Sequence, residues 1–285
     1  MREKKVNCYL FIKHYNIFFG GFCFSFRNFS IRIIVYRFDF LQASRRIAKV
    51  IREACDYRLE HRSKCKKVHL LLNGDLIAGI IHDLEAKQVH LAVHQCNAAV
   101  YIFVNAVAQL LEAYDQVEVH GITGNHERAT WKSGGKRVMT EHFDCFANII
   151  FYSLSTAFRN EKRVKFSFPP TPYCFVDLPG GRAMMAHGHA TFSWPLRGSS
   201  SRLQVKNLSD ALQEFSQLEE KKGNPKIDLA LFGHVHFMNY FVSKYGMHIC
   251  IANALLGVDG YSHSFPINDQ IASQVIFHSD KNHIY

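Results

Sequence analysis

The segment Val117-Glu118-Val119-His120-Gly121-Ile122-Thr123-Gly124-Asn125-His126-Glu127 passes from a β-prone, largely apolar run into turn-forming and polar residues. The run suits a buried strand, and the glycine before Asn125 lets the chain turn sharply, so that Asn125 and His126 emerge at the strand's carboxyl end. The same unit recurs on both sides. Upstream, Val68 to Leu72 is almost continuously apolar and ends at Asn73-Gly74-Asp75. Downstream, Arg182 to Ala186 ends at His187-Gly188-His189, and Ile227 to Phe232 ends at Gly233-His234-Val235-His236. Four strands thus hand polar side chains to one edge, which is where α/β sheets carry their sites.

The intervening sequence supplies helices. Ala43, Ile47, Val50, Ile51 and Ala54 fall at helical spacing, with Arg45, Arg46, Lys49 and Arg52 on the other face. Longer helical patterns run from about Asp83 to Tyr114, from Glu141 to Phe158 and from Asp210 to Lys222. Val164 to Phe168 and Cys174 to Leu178 read as further strands, and Tyr240 to Leu256 alternates like a hairpin turning at Lys244-Tyr245-Gly246. Strands alternating with helices predict an α/β fold. Aspartate, asparagine and neutral histidine together offer oxygen and imidazole donors, a mixture that suits manganese, iron or zinc better than magnesium or calcium.

In this order, Gly74-Asp75, Gly124-Asn125-His126-Glu127, His187-Gly188-His189 and Gly233-His234-Val235-His236 resemble the motifs of the calcineurin-like metallophosphoesterases, over roughly residues 39 to 260. That superfamily includes Ser/Thr protein phosphatases, cyclic-nucleotide phosphodiesterases and the exonuclease of double-strand-break repair. The resemblance implies a β-sandwich flanked by helices, with a metal site at the strand carboxyl ends. It implies that Asp75 bridges two divalent ions, that Asn125, His187 and His234 bind the second, and that His236 binds the first. Manganese is the foremost candidate, with iron, zinc and magnesium behind it. His126 resembles the catalytic histidine that binds the phosphate and protonates the leaving oxygen, and Arg128 and His189 are candidates to touch substrate phosphate, the arginine as a bidentate donor. Such a site attacks phosphorus in line, two ions about 3.5 to 4 Å apart stabilising the entering and departing oxygens. A histidine acid adds roughly 10²- to 10⁴-fold near neutral pH. The histidines at 69, 82, 90, 94, 120 and 142 are read as surface or packing residues.

The pattern breaks at its first motif. The superfamily carries Asp-x-His at the end of the first strand, and the only aspartates before Asp75 are Asp39 and Asp56, neither followed by a histidine two residues on. The implied first-metal position is therefore impaired. The break falls in an unusual stretch: residues 1–41 hold nine of the 24 phenylalanines, without clean periodicity. Residues 1–38 are expected to stand apart, as if read in another frame, from a domain of residues 39–285. Charge separates along the same line, since residues 1–67 hold 16 of the 34 basic and 5 of the 24 acidic residues, leaving 18 and 19 for the remainder. The motif-bearing part is thus near neutral, which argues against a large non-specific DNA groove.

The longest charge-free stretch near the N-terminus, His14 to Phe26, is 13 residues, against the ~20 needed to span a bilayer. No signal-peptide pattern follows it, so no targeting segment and no membrane partner are expected. Eight scattered cysteines without a Cys-x-x-Cys pair suit a reducing, cytoplasmic compartment. The expected function is hydrolysis of a phosphodiester, with nucleic acid as one partner class. Glu127 after Gly-Asn-His favours the alternative of a Ser/Thr-type protein phosphatase, and the missing Asp-x-His favours a catalytically silent metal-binding scaffold.

Overall fold

Parallel strands covered on both faces need apolar side chains in both directions, and the run from Val68 to Leu72 meets that need. A computed structural model describes residues 7–12, 40–60, 65–80, 91–129, 142–190, 192, 205–235, 238–255 and 275–279. Its strands are β1 (Asn7–Ile12), β2 (Lys67–Asn73), β3 (Gln116–Ile122), β4 (Val164–Ser167), β5 (Tyr173–Leu178), β6 (Gly181–Ala186), β7 (Leu229–Phe232), β8 (Asn239–Val242), β9 (His248–Ile251) and β10 (Val275–Ser279). The helices among these residues are α1 (Phe40–Glu60), α2 (Ala92–Ala113), α3 (Phe146–Ala157) and α4 (Val205–Lys221). The fold is mixed α/β.

Two five-stranded sheets form, in the orders β10-β1-β2-β3-β4 and β5-β6-β7-β9-β8. Strands β1 to β4 are mutually parallel, as are β6, β7 and β9. Period-two alternation sorts the side chains. Val68, Leu70, Leu72, Val117 and Val119 pack with Ile47, Ile51, Phe103 and Leu154 of the first three helices. Leu71 and Ile122 point the other way, against Val176, Met185 and Leu231 of the second sheet. The outer face of that second sheet is closed by Leu208 and Leu212 of α4. Sheets therefore pack face to face with helices outside both.

Helix α2 is long and apolar enough to cross a membrane by length and composition. Here Ala99, Phe103, Ala106, Val107 and Leu110 are buried against the first sheet, and Tyr114 just past its end donates its hydroxyl to Ala54 O of α1 at 2.6 Å. The six cysteines whose side chains are described are free thiols.

Two helix starts differ from expectation, and within the 1–38 stretch Asn7–Ile12 forms β1, parallel to β2 and antiparallel to β10. The six residues Asn-Cys-Tyr-Leu-Phe-Ile carry no charge, so they can take a place between two strands whatever the composition around them. Helix α3 begins at Phe146 rather than Glu141, since Cys145 is extended and bridges to Arg128. Helix α4 begins at Val205, five residues before the predicted start. The part of the predicted Asp83–Tyr114 helix that falls in residues 81–90 lies outside the described residues.

Candidate metal centre

Parallel pairing brings the carboxyl ends of β2, β3, β6 and β7 to one edge, and the chain leaves that edge through Gly74-Asp75, Gly124-Asn125, His187 and Gly233-His234. The loops touch backbone to backbone. A Cβ on Gly74 would lie 2.6 Å from the Gly124 amide nitrogen and 2.9 Å from His187 Nδ1. A Cβ on Gly124 would run into the carboxylate and amide of Asp75. The Gly124→Ala variant is accordingly expected to lose about 1–3 kcal/mol of stability in urea titrations, the usual cost of overpacking a filled site. Wild-type stability in that variant would mean that the loops are not in this contact.

Asp75 (φ 53°) and His234 (φ 67°) are the two non-glycine residues with positive φ among those described. Left-handed backbone at an ordinary residue costs roughly 1–3 kcal/mol and persists only where its surroundings enforce it. Here both strained residues aim donor atoms at the same place: Asp75, His187 and His234 offer ligand atoms all within 4.8 Å of one another.

The protons on His187 follow from its neighbours. Nδ1 lies 2.8 Å from the carbonyl of Asn73, which can only accept, so Nδ1 carries the hydrogen. Nε2 then faces Asp75 Oδ2 at 2.9 Å and Asn125 Oδ1 at 3.2 Å. Three lone-pair atoms converge, and either a proton on Nε2 or a cation reconciles them. A ligating histidine whose other nitrogen donates to a backbone carbonyl is the usual arrangement at metal sites. Asn73 itself is fully buried, and its amide, oriented with the nitrogen toward Ala186 O (3.2 Å) and the oxygen toward the Gly233 N–H (3.1 Å) as these neighbours require, ties three strand ends together.

His126 donates its backbone N–H to Asp75 Oδ1 at 2.9 Å, while its ring Nδ1 lies 3.0 Å from Ala78 O. The ring is thus held through Nδ1. Arg128 Nε donates to Asn125 O at 2.9 Å, and the ring of His189 sits 5.3 Å from that of His187. The structure thus brings together Asp75, Asn125, His187 and His234, with His126, Arg128 and His189 beside them. His236 lies outside the described residues.

Sequence reading took Glu127 as a clue to substrate class and missed its place. Its carboxylate is fully buried and accepts from the backbone N–H groups of Leu76 and Gly124, clamping the two loops. Burial first, then the charge of Asp75, pushes its pKa up from 4.5 to about 8. Between those values the unfolded chain has released a proton that the folded carboxyl keeps. The stability of metal-free protein therefore falls as pH rises from about 4.5 to about 8. Melting curves in chelator should show this fall, and Glu127→Gln should remove that part of it; a variant with the wild-type pH slope would count against the assignment.

The chain was compared with known families and proteins. No family model matches. No curated protein matches either. Among solved structures, the solution NMR structure of Thermotoga maritima protein TM1076 aligns with 63% of this chain and 82% of its own at 13% identity, with a TM-score of 0.28. A likeness that small carries no inference about fold or activity.

Proposed function

We propose that this chain is a metal-dependent phosphoester hydrolase of the calcineurin-like kind, acting on a phosphodiester such as nucleic acid. One observation carries the reading: Asp75, Asn125, His187 and His234 arrive from four strand ends with their donor atoms together, His187 Nε2 facing two oxygens. The donor set fits a divalent cation of the manganese, iron or zinc group. When bound, such an ion supplies Lewis-acid polarisation of a phosphoryl oxygen and offsets charge on the entering and departing oxygens. His126, held at Nδ1, gives up a proton from Nε2 to the leaving oxygen. Arg128 and His189 hold the substrate phosphate.

The second reading, a silent metal-binding scaffold, is favoured by one specific observation. β1 takes a central place parallel to β2, yet it ends on Ile12, where the superfamily carries an aspartate. The described donors account for one ion. The Ser/Thr-type protein phosphatase stays as a further alternative, suggested by Glu127 after Gly124-Asn125-His126.

The test is metal content together with hydrolysis of bis-p-nitrophenyl phosphate and p-nitrophenyl phosphate in manganese. About one manganese ion per chain that is lost on Asp75→Asn, with a preference for the diester, is expected. One ion with no turnover selects the scaffold, and a chain that retains no ion overturns both readings.

A further inference from the structure

At the opposite, amino-terminal end of the same two strands lies a second group of ligand-type side chains. β2 and β3 pair with His69 opposite Glu118 and Leu71 opposite His120. Their neighbours Val68, Leu70, Val117 and Val119 face the helices, so alternation turns His69, Glu118 and His120 to the other face, beside Leu71 and Ile122. His69 and His120 are 2% and 7% exposed. His69 Nδ1 is 3.1 Å from His120 Nε2, and Glu118 Oε2 lies 3.6 Å from the first and 3.8 Å from the second. Lys67 Nζ holds the other carboxylate oxygen at 2.6 Å.

We propose that His69, Glu118 and His120 form a divalent-cation site of the zinc class, separate from the centre at the strand carboxyl ends. Zinc bonds of about 2.0–2.2 Å to nitrogen and oxygen set the ligand atoms of a tetrahedral site roughly 3.3–3.5 Å apart. The triangle of 3.1, 3.6 and 3.8 Å brackets that spacing. Two histidines and a glutamate, with a fourth position left over, are a known zinc donor set.

A purely structural role accounts for less. One proton between the two rings satisfies the shortest edge alone and leaves Glu118 Oε2 beyond hydrogen-bond reach of either ring. Burial lowers the pKa of both rings, His120 to about 4, which keeps them in the neutral form that binds metal. Lys67 is the supporting partner of the Glu118 carboxylate. Four steps of β2 separate His69 from Asn73, about 13 Å at the strand rise, and Asp75 lies past the turn beyond it, so the two groups cannot share an ion.

The experiment uses the full chain carrying Asp75→Asn, to empty the first centre, and titrates it with zinc and with cobalt(II). About one ion per chain is expected, with the intense visible absorption of four-coordinate cobalt. Adding His120→Gln or the near-isosteric Glu118→Gln should weaken it by more than the roughly 10–100-fold that loss of a ligand's supporting partner causes. Circular dichroism and thermal melting confirm that each variant folds, and the two ligand variants serve as mutual checks. No ion retained by the Asp75→Asn chain overturns the proposal, as does an ion that survives both ligand substitutions. Because the first centre is disabled throughout, the outcome is independent of whether the chain hydrolyses phosphoesters.

Discussion

Asp75→Asn is expected to abolish manganese-dependent stabilisation and to lower phosphodiester hydrolysis by roughly 10³-fold or more, while leaving the metal-free protein at least as stable as wild type. The activity figure follows from the several kcal/mol that a Lewis-acid ion contributes, at about 1.4 kcal/mol per tenfold in rate. The stability half follows from local geometry. The Asp75 carboxylate is fully buried, 2.9 Å from His187 Nε2, and its charge also raises the pKa of Glu127. An asparagine amide turned toward His187 donates to Nε2 where two lone pairs now meet. It also removes the repulsion on Glu127, and asparagine is among the residues that best tolerate the φ of 53° found there. Wild-type protein at manganese a hundredfold above its dissociation constant gains about 2.7 kcal/mol, and the variant should gain none. Melting curves with and without manganese, together with metal analysis, decide the matter. A variant that keeps its manganese would remove Asp75 from the ligand set.

His126→Gln is the second large effect. Hydrolysis should fall by about 10²- to 10⁴-fold with metal content unchanged, the range for losing a general acid. His126 is positioned by its own backbone N–H on Asp75 Oδ1 and by Nδ1 against Ala78 O, and neither contact makes it a member of the converging donor group. The leaving group separates acid catalysis from simple damage. p-Nitrophenolate departs without a proton, whereas the alkoxide of a dinucleoside phosphate needs one, so the loss should be greater for the dinucleoside. Equal losses on both substrates would assign His126 a positioning role instead.

Legibility in the sequence followed the range of the interaction. The strands ending at Asn73, Ile122, Ala186 and Phe232 were readable because apolar runs and the glycines after them are local features. Helix boundaries were less so: Cys145 is held extended by a bridge to Arg128, and no periodicity within residues 141–158 reports that. Strand β1, inside the Phe-rich segment, was not legible for a related reason. The segment's overall composition is atypical, but a strand of six uncharged residues needs only a pairing partner on each side, which β2 and β10 provide.

Sequence alone determined which residues emerge at the carboxyl ends of four strands, and hence Asp75, Asn125, His187 and His234 as ligand candidates, since strand length and turn chemistry are written within a few residues. Tertiary structure decided what those residues do to one another. The proton on His187 depends on Asn73, 114 positions away, and the buried state of Glu127 on Leu76, 51 positions away. The pairing that sets His69 opposite Glu118 is likewise a matter of register between strands. Each of these rests on the free energy of burying polar groups in company, and that company is assembled only when distant segments fold together.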